Sequence, residues 1–368
     1  MDEKLYQEHL DEMFSINSNF TASDIDRILN RLLMVMPNGG KLYKYRSIAG
    51  EAFENAYDSL ENGYLWIPKA NQLNDDEEAV VYYDPLKTAE EIADYIFSHP
   101  YDFLLTIINA PERKFPIAKN AHDERIIKRA CACLDKQTGK INKGQAVLEM
   151  VKDGIPLEKA AEQVDRVIDF VESWPANNMA KIEDLAHKHL HYNDNLRELV
   201  HIFSMSARYD IDPMWAYYAN NNEGFCIEYD FTKVRLLSEN IRRQLISVYR
   251  VIYSDVQEEF SFGPLLEWYL GGKNLALLNR ENKFMLGCML TKKSAWQHEQ
   301  EWRIFLTDIE NKLYADIVSG IVIDERALHT KNGGRLINLA QRRGWSIMLR
   351  SLSVTKTKHF YSPYSTTP

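Results

Sequence analysis

Three consecutive stretches decide the fold: Ile202-Phe203-Ser204-Met205-Ser206, then Asp212-Pro213-Met214-Trp215-Ala216-Tyr217-Tyr218-Ala219, then Gly224-Phe225-Cys226-Ile227-Glu228-Tyr229-Asp230-Phe231. The first reads as a strand in which Ser204 and Ser206 share a face, because side chains alternate along an extended chain. Asp212 and Pro213 open a helix as N-cap and first residue, which places Trp215, Tyr218, Ala219 and Asn222 on one side. Gly224 closes that helix. Phe225/Ile227/Tyr229 then alternate with Cys226/Glu228/Asp230, a second strand. Strand, short helix and strand in close succession indicate an α+β protein.

Working outward, Lys41 to Ser47 reads as a strand, Glu51 to Asn62 as an amphipathic helix ended by Gly63, and Tyr64 to Pro68 as another short strand. The polar loop Asn71 to Glu78 follows. Residues 1–37 read as helical, with a stop at Pro37-Asn38-Gly39-Gly40. Helical periodicity dominates from 86 to about 200, with a linker at 135–143. Downstream, strands are expected at 246–253, 300–306, 317–323 and 346–350, a helix at 333–343, and a mostly helical 265–290 broken at Gly271-Gly272. The expected organisation is an N-terminal helical segment (1–40), an α+β domain assembled from 41–84 and 200–350, a large helical insertion (85–199) and a C-terminal tail (351–368).

Composition narrows the function. A net charge of -9 over 368 residues argues against a general nucleic-acid coat, which needs a broad basic face. The apolar runs are too short to span a bilayer, so no membrane partner is expected. The acidic Met1-Asp2-Glu3-Lys4 start is no secretory signal. The four cysteines (Cys131, Cys133, Cys226, Cys288) lack zinc spacing and read as reduced buried thiols of a cytoplasmic protein.

Three segments far apart in the chain carry polar groups among apolar ones: Tyr45-Arg46-Ser47, Ser204-Met205-Ser206 with Trp215 and Tyr218, and Glu299-Gln300-Glu301-Trp302-Arg303. On a strand, Glu299 and Glu301 project together as Ser204 and Ser206 do. Asn74 and Asp75 suit a turn or a ligand contact. The acidic run Asp75 to Glu78 lacks the spacing of a calcium loop, and His187 with His191 lacks a third ligand, so no metal site is assigned. Neither a phosphate loop nor a Gly-x-Ser-x-Gly elbow occurs.

In combination, Tyr45-Arg46-Ser47, Leu73-Asn74-Asp75, Ser204-Met205-Ser206, Met214 to Ala219, Gly224 to Asp230 and Trp296 to Arg303 resemble a bacterial domain family of unknown function. The order of elements also resembles the arginine-serine-glutamate class of ADP-ribosyltransferases. That resemblance implies a mixed split sheet and NAD as substrate. It implies Glu301 as the catalytic carboxylate at the ribose and Glu299 as the group that prepares the acceptor. It further implies Tyr45, Arg46, Ser47, Asn74, Ser204, Ser206, Trp215 and Tyr218 around the dinucleotide. The acceptor would be a protein, a nucleic acid or water, in a toxin or phage-defence setting, with a neutralising or sensor partner on the insertion. Two other readings stay open: a metal-dependent nuclease or phosphoesterase using Asp75, Glu77 and Glu301, and a non-catalytic nucleotide sensor.

Overall fold

The strand–helix–strand at 200–230 forms as the alternation dictates, and it sits at the middle of the principal sheet. The structure, a computed structural model, describes residues 3–15, 21–73, 80–99, 121–135, 140–189, 192–256, 259–261, 283, 286–307, 309–351 and 358–359. In chain order the strands are β1 (Lys41–Arg46), β2 (Tyr64–Trp66), β3 (Leu134–Asp135), β4 (Lys140–Ile141), β5 (Val200–Ser206), β6 (Phe225–Asp230) and β7 (Val248–Arg250). They continue with β8 (Ile252–Tyr253), β9 (Thr291–Lys292), β10 (Glu301–Thr307), β11 (Lys312–Tyr314), β12 (Val318–Asp324), β13 (Ser346–Arg350) and β14 (Lys358–His359).

Eight of them form one sheet in the order β14-β13-β12-β6-β1-β5-β10-β7. Only β12 and β13 run parallel within it, so the sheet is mixed and the protein α+β. β1 and β6 stay in register from Lys41↔Asp230 to Arg46↔Phe225. β1 and β5, by contrast, meet at one register pair, Tyr43↔Ser206. Beyond it the strands part, and the Lys44 ammonium donates to the Ser204 carbonyl at 2.5 Å across the gap. The seam between β1 and β5 is therefore the place where the sheet opens.

Period-two alternation sorts the two faces. Leu42, Phe203, Met205, Phe225, Ile227, Trp302 and Ile304 enter the main core, which the helices Ala22–Val35, Gly50–Asn62 and Lys331–Arg343 cover with Ile28, Leu32, Phe53 and Leu336. Tyr43, Tyr45, Cys226 and Val322 lie on the other face, around the fully buried Trp215. The N-terminal segment read as helical holds two helices, Glu3–Ser15 and Ala22–Val35. Thr21 starts the second with a reciprocal cap, its hydroxyl accepting from the Asp24 amide while the Asp24 carboxylate accepts from the Thr21 amide.

The chain divides into two units, 1–80 with 193–257 and 286–368, and 81–192 with 258–285. The second, taken by itself, is helical as its periodicity dictates. Helices Ala121–Cys131, Lys143–Lys152 and Leu157–His189 bury Ile127, Met150, Val164 and Val171 in a small core of their own. The segment read as a linker at 135–143 contains instead the paired β3 and β4, joined as Leu134↔Ile141 and Asp135↔Lys140. The reading of 265–290 lies outside the described residues except at 283 and 286–290, which are helical. No helix of the described residues is long and apolar enough to cross a membrane.

Candidate functional site

The site grows from the opening between β1 and β5. Opposite that seam, β10 pairs with β5 so that Glu301 faces Ser206 and Arg303 faces Ser204. All four side chains stand on one face, and the environment there is closed: Glu301, Arg303 and Ser206 are buried. The Arg303 guanidinium grips the Glu301 carboxylate with Nε–Oε1 at 2.7 Å and Nη2–Oε2 at 3.2 Å. Such a two-pronged pair fixes the carboxylate in position as well as in charge.

Glu299 reaches the same place by a different route from the one strand alternation predicts. It ends the 3-10 turn Ser294–Glu299, outside β10, and Gln300 between the glutamates takes a left-handed conformation with φ of 46°. That bend turns Glu299 back toward Glu301, and Lys292 on β9 bridges them. Its ammonium lies 2.6 Å from Glu299 Oε2 and 3.2 Å from Glu301 Oε2. Tyr218 donates its hydroxyl to Glu299 Oε1 at 2.9 Å, the Ser206 hydroxyl donates to the Glu299 carbonyl at 2.6 Å, and the Glu301 amide donates to the Tyr253 hydroxyl at 2.8 Å.

Burial pushes the Glu301 carboxyl up, but the Arg303 and Lys292 cations overcome it and hold the group well below the usual carboxylate range. Burial, then the adjacent Glu299 carboxylate, pushes the Tyr218 phenol well above its ordinary value. Both groups keep their ordinary neutral-pH forms: Glu301 is a carboxylate and Tyr218 a donor.

These groups line a cavity of about 380 Å³ together with Tyr45, Arg46, Ser204 and Ser206. Arg46 is half-buried at the end of β1. Its Nε is buried without a hydrogen-bond partner, and no carboxylate among the described residues pairs with it. Burial pulls its guanidinium below the ordinary arginine value. Gly224 makes room for this end of the strand, since a Cβ at that position would run into the Arg46 carbonyl and into Ala219.

The structure thus brings Tyr45, Arg46, Ser204, Ser206, Tyr218, Glu299 and Glu301 to one cavity. Trp215 is elsewhere, fully buried in the second core with its indole N–H on the Tyr209 carbonyl at 2.7 Å. The helix that carries it stops at Tyr218 rather than at Asn222, because Asn220, Asn221 and Asn222 all adopt positive φ, a conformation asparagine tolerates better than most residues. Ser47 closes a local turn, its hydroxyl bonded to the Ala49 amide and carbonyl. Asn74, Asp75 and Glu77 lie outside the described residues, as does His191. Among the described residues, no cluster of three His, Cys, Asp or Glu side chains is placed to hold a metal ion. All four cysteines are buried free thiols.

Among the lining residues not expected at the site, Lys292 escapes a reading by motif, while Trp296 opens the motif Trp296 to Arg303. Lys292 sits in a lysine pair whose partner Lys293 is exposed, and nothing in the sequence separates them. Trp296 packs its ring beneath the Lys292 ammonium at 5.1 Å, a contact that a Trp before a Glu-x-Glu could have suggested.

Neither the curated proteins nor the solved structures give a match to this chain. Residues 214–304, which hold Tyr218, Lys292, Glu299, Glu301 and Arg303 but neither Arg46 nor the two serines, match the model of the family described as Protein of unknown function (DUF2971).

Proposed function

We propose that this protein cleaves NAD between nicotinamide and ribose and passes ADP-ribose to a protein, a nucleic acid or water. The observation that carries this reading is a cavity lined by two fixed carboxylates, Glu299 and Glu301, and by Arg46, which has no described carboxylate to pair with, at the opened edge of β1. NAD is complementary to that distribution, with an anionic diphosphate and a cationic nicotinamide ring. The order of motifs, which resembles the arginine-serine-glutamate ADP-ribosyltransferases, supports it too.

In this reading the carbon–nitrogen bond of the nicotinamide riboside breaks, and its electron pair leaves on nicotinamide. The positive charge that develops on the ribose falls beside Glu301, already ionised and already oriented by Arg303 and Lys292, so no reorganisation is needed as the charge forms. Glu299 accepts the proton of the attacking hydroxyl or water. Tyr218 and Lys292 fix its two oxygens for that task. Arg46 holds the diphosphate.

The test is nicotinamide release from NAD by the full chain, with a cell lysate as acceptor. Glu301→Gln, checked for folding by circular dichroism, loses release by about a hundredfold or more, as removal of a transition-state charge partner does. Tyr218→Phe, which deletes one hydroxyl at the rim of the cavity, retains the fold and loses less. Wild-type protein that releases no nicotinamide, and whose melting temperature NAD does not raise, refutes the reading.

A further inference from the structure

Arg46 also lines a second cavity, of about 470 Å³, on the side of β1 that faces the helix Gly50–Asn62. Its wall includes Asn55, Asp58, Tyr64, Trp66 and Lys312. The β2/β11 ribbon forms part of it, and the register explains how. Lys312 stands opposite Trp66, and Tyr314 opposite Tyr64. Alternation puts these four side chains on one face and the buried Leu65 and Leu313 on the other. The face turned away from a core is ordinarily polar. Here it carries three aromatic rings and a lysine, with Trp66 42% exposed and Tyr314 63% exposed.

The polar groups are also left open in a particular pattern. Lys312 lies over the Tyr64 ring at 4.5 Å, and no carboxylate among the described residues pairs with it or with Arg46. Asp58 is already engaged by the Tyr64 hydroxyl at 2.5 Å and the Asn62 amide at 2.8 Å. The Asn55 amide hydrogen-bonds to no described group. An aromatic platform, two cations and one open amide within a volume of nucleotide size match one chemistry well. The rings stack a base, the cations take a phosphate, and an amide presents the donor and acceptor that pair with the N6/N7 edge of adenine.

We infer that this second cavity binds a purine nucleoside phosphate, with Trp66 as the stacking platform and Lys312 and Arg46 on the phosphate. The ligand is either a free mononucleotide or the adenylate end of a dinucleotide whose other end occupies the first cavity. Arg46, common to both walls, is the point at which a diphosphate would pass between them.

Titration calorimetry of the full chain with adenosine monophosphate, repeated on Trp66→Ala, Trp66→Phe, Lys312→Ala and Glu301→Gln, tests the site. The expected result is binding that Trp66→Ala and Lys312→Ala each weaken by about tenfold or more, that Trp66→Phe restores in part, and that Glu301→Gln retains. A competition arm with NAD separates the sources. Mutual exclusion identifies the adenylate end of a dinucleotide, and simultaneous binding identifies a separate mononucleotide site. Both support the cavity, and they hold or fail independently of nicotinamide release. Absence of adenosine monophosphate binding, or binding indifferent to both Trp66→Ala and Lys312→Ala, overturns the inference.

Discussion

The two cavities that meet at Arg46 differ in how their charges are compensated. In the first, two carboxylates (Glu299, Glu301) face two cations (Lys292, Arg303), and every member is tied to another at 2.6–3.2 Å. In the second, Lys312 and the shared Arg46 have no described carboxylate to pair with. A closed set of charges is costly to desolvate but rigid, which suits groups that must hold one geometry through a reaction. Arg46, with its buried Nε unpartnered, costs stability, and Lys312 is exposed and held only against the Tyr64 ring, which suits both to await an anion.

That contrast can be broken, and the largest expected effect comes from the closed cluster. Arg303→Ala leaves Glu301 buried with one cation instead of two, and unfolding in urea should show a loss of about 3–5 kcal/mol. A loss under about 1 kcal/mol would mean that the cluster is not the closed unit its distances indicate.

Arg46→Met should do the reverse. It removes a guanidinium whose buried Nε has no partner, so the variant should be as stable as the wild type or up to about 1–3 kcal/mol more stable, while NAD binding falls. Destabilisation on the scale of Arg303→Ala would erase the distinction between the two cations.

The pH dependence sharpens the same point. The folded Glu301 carboxyl sits below the ordinary glutamate value of about 4.3. Its contribution to stability is therefore complete above that value and is lost as pH falls through the lower, folded one. The stability difference between wild type and Glu301→Gln should stay level from about pH 8 to 5 and shrink below about pH 4. A difference that shrinks already near neutral pH would contradict the assignment of Glu301 as a held carboxylate.

The smallest effect separates two tryptophans. Trp66→Ala, on an exposed ribbon face, should change stability by no more than about 0.5 kcal/mol. Trp215→Ala, in a closed core, should cost about 3–5 kcal/mol in the same urea series. Equal losses would make Trp66 a structural residue and weaken the case for a ligand platform.

The strands on which the site stands were legible because their alternation is strict. Residues 203–206, 225–230 and 301–304 set apolar side chains against polar or small ones, and a slip of one residue would drive Ser204, Ser206, Glu301 and Arg303 into the main core in place of Phe203, Met205, Trp302 and Ile304, so the pattern admits one register. The serine pair and the position of Glu301 follow from that alone. Trp215 was misplaced by the same logic applied to a helix, since an aromatic at helical spacing carries no sign of which core it enters. Glu299 shows the other limit, because its approach to Glu301 depends on the left-handed turn at Gln300, where no glycine announces it.

By itself, then, the sequence determined the element types, the α+β class and the residues that share a strand face. These are local consequences of period and packing. Only the tertiary structure decided which of two adjacent lysines joins the glutamates, which tryptophan is core and which is open, and that Arg46 stands between two cavities. The last two depend on segments more than a hundred residues apart being brought together, and the first on the turn that folds Glu299 and Glu301 back beside Lys292, seven and nine residues before them; the free energy that selects these arrangements is the burial of apolar and aromatic surface, with the buried charges paired.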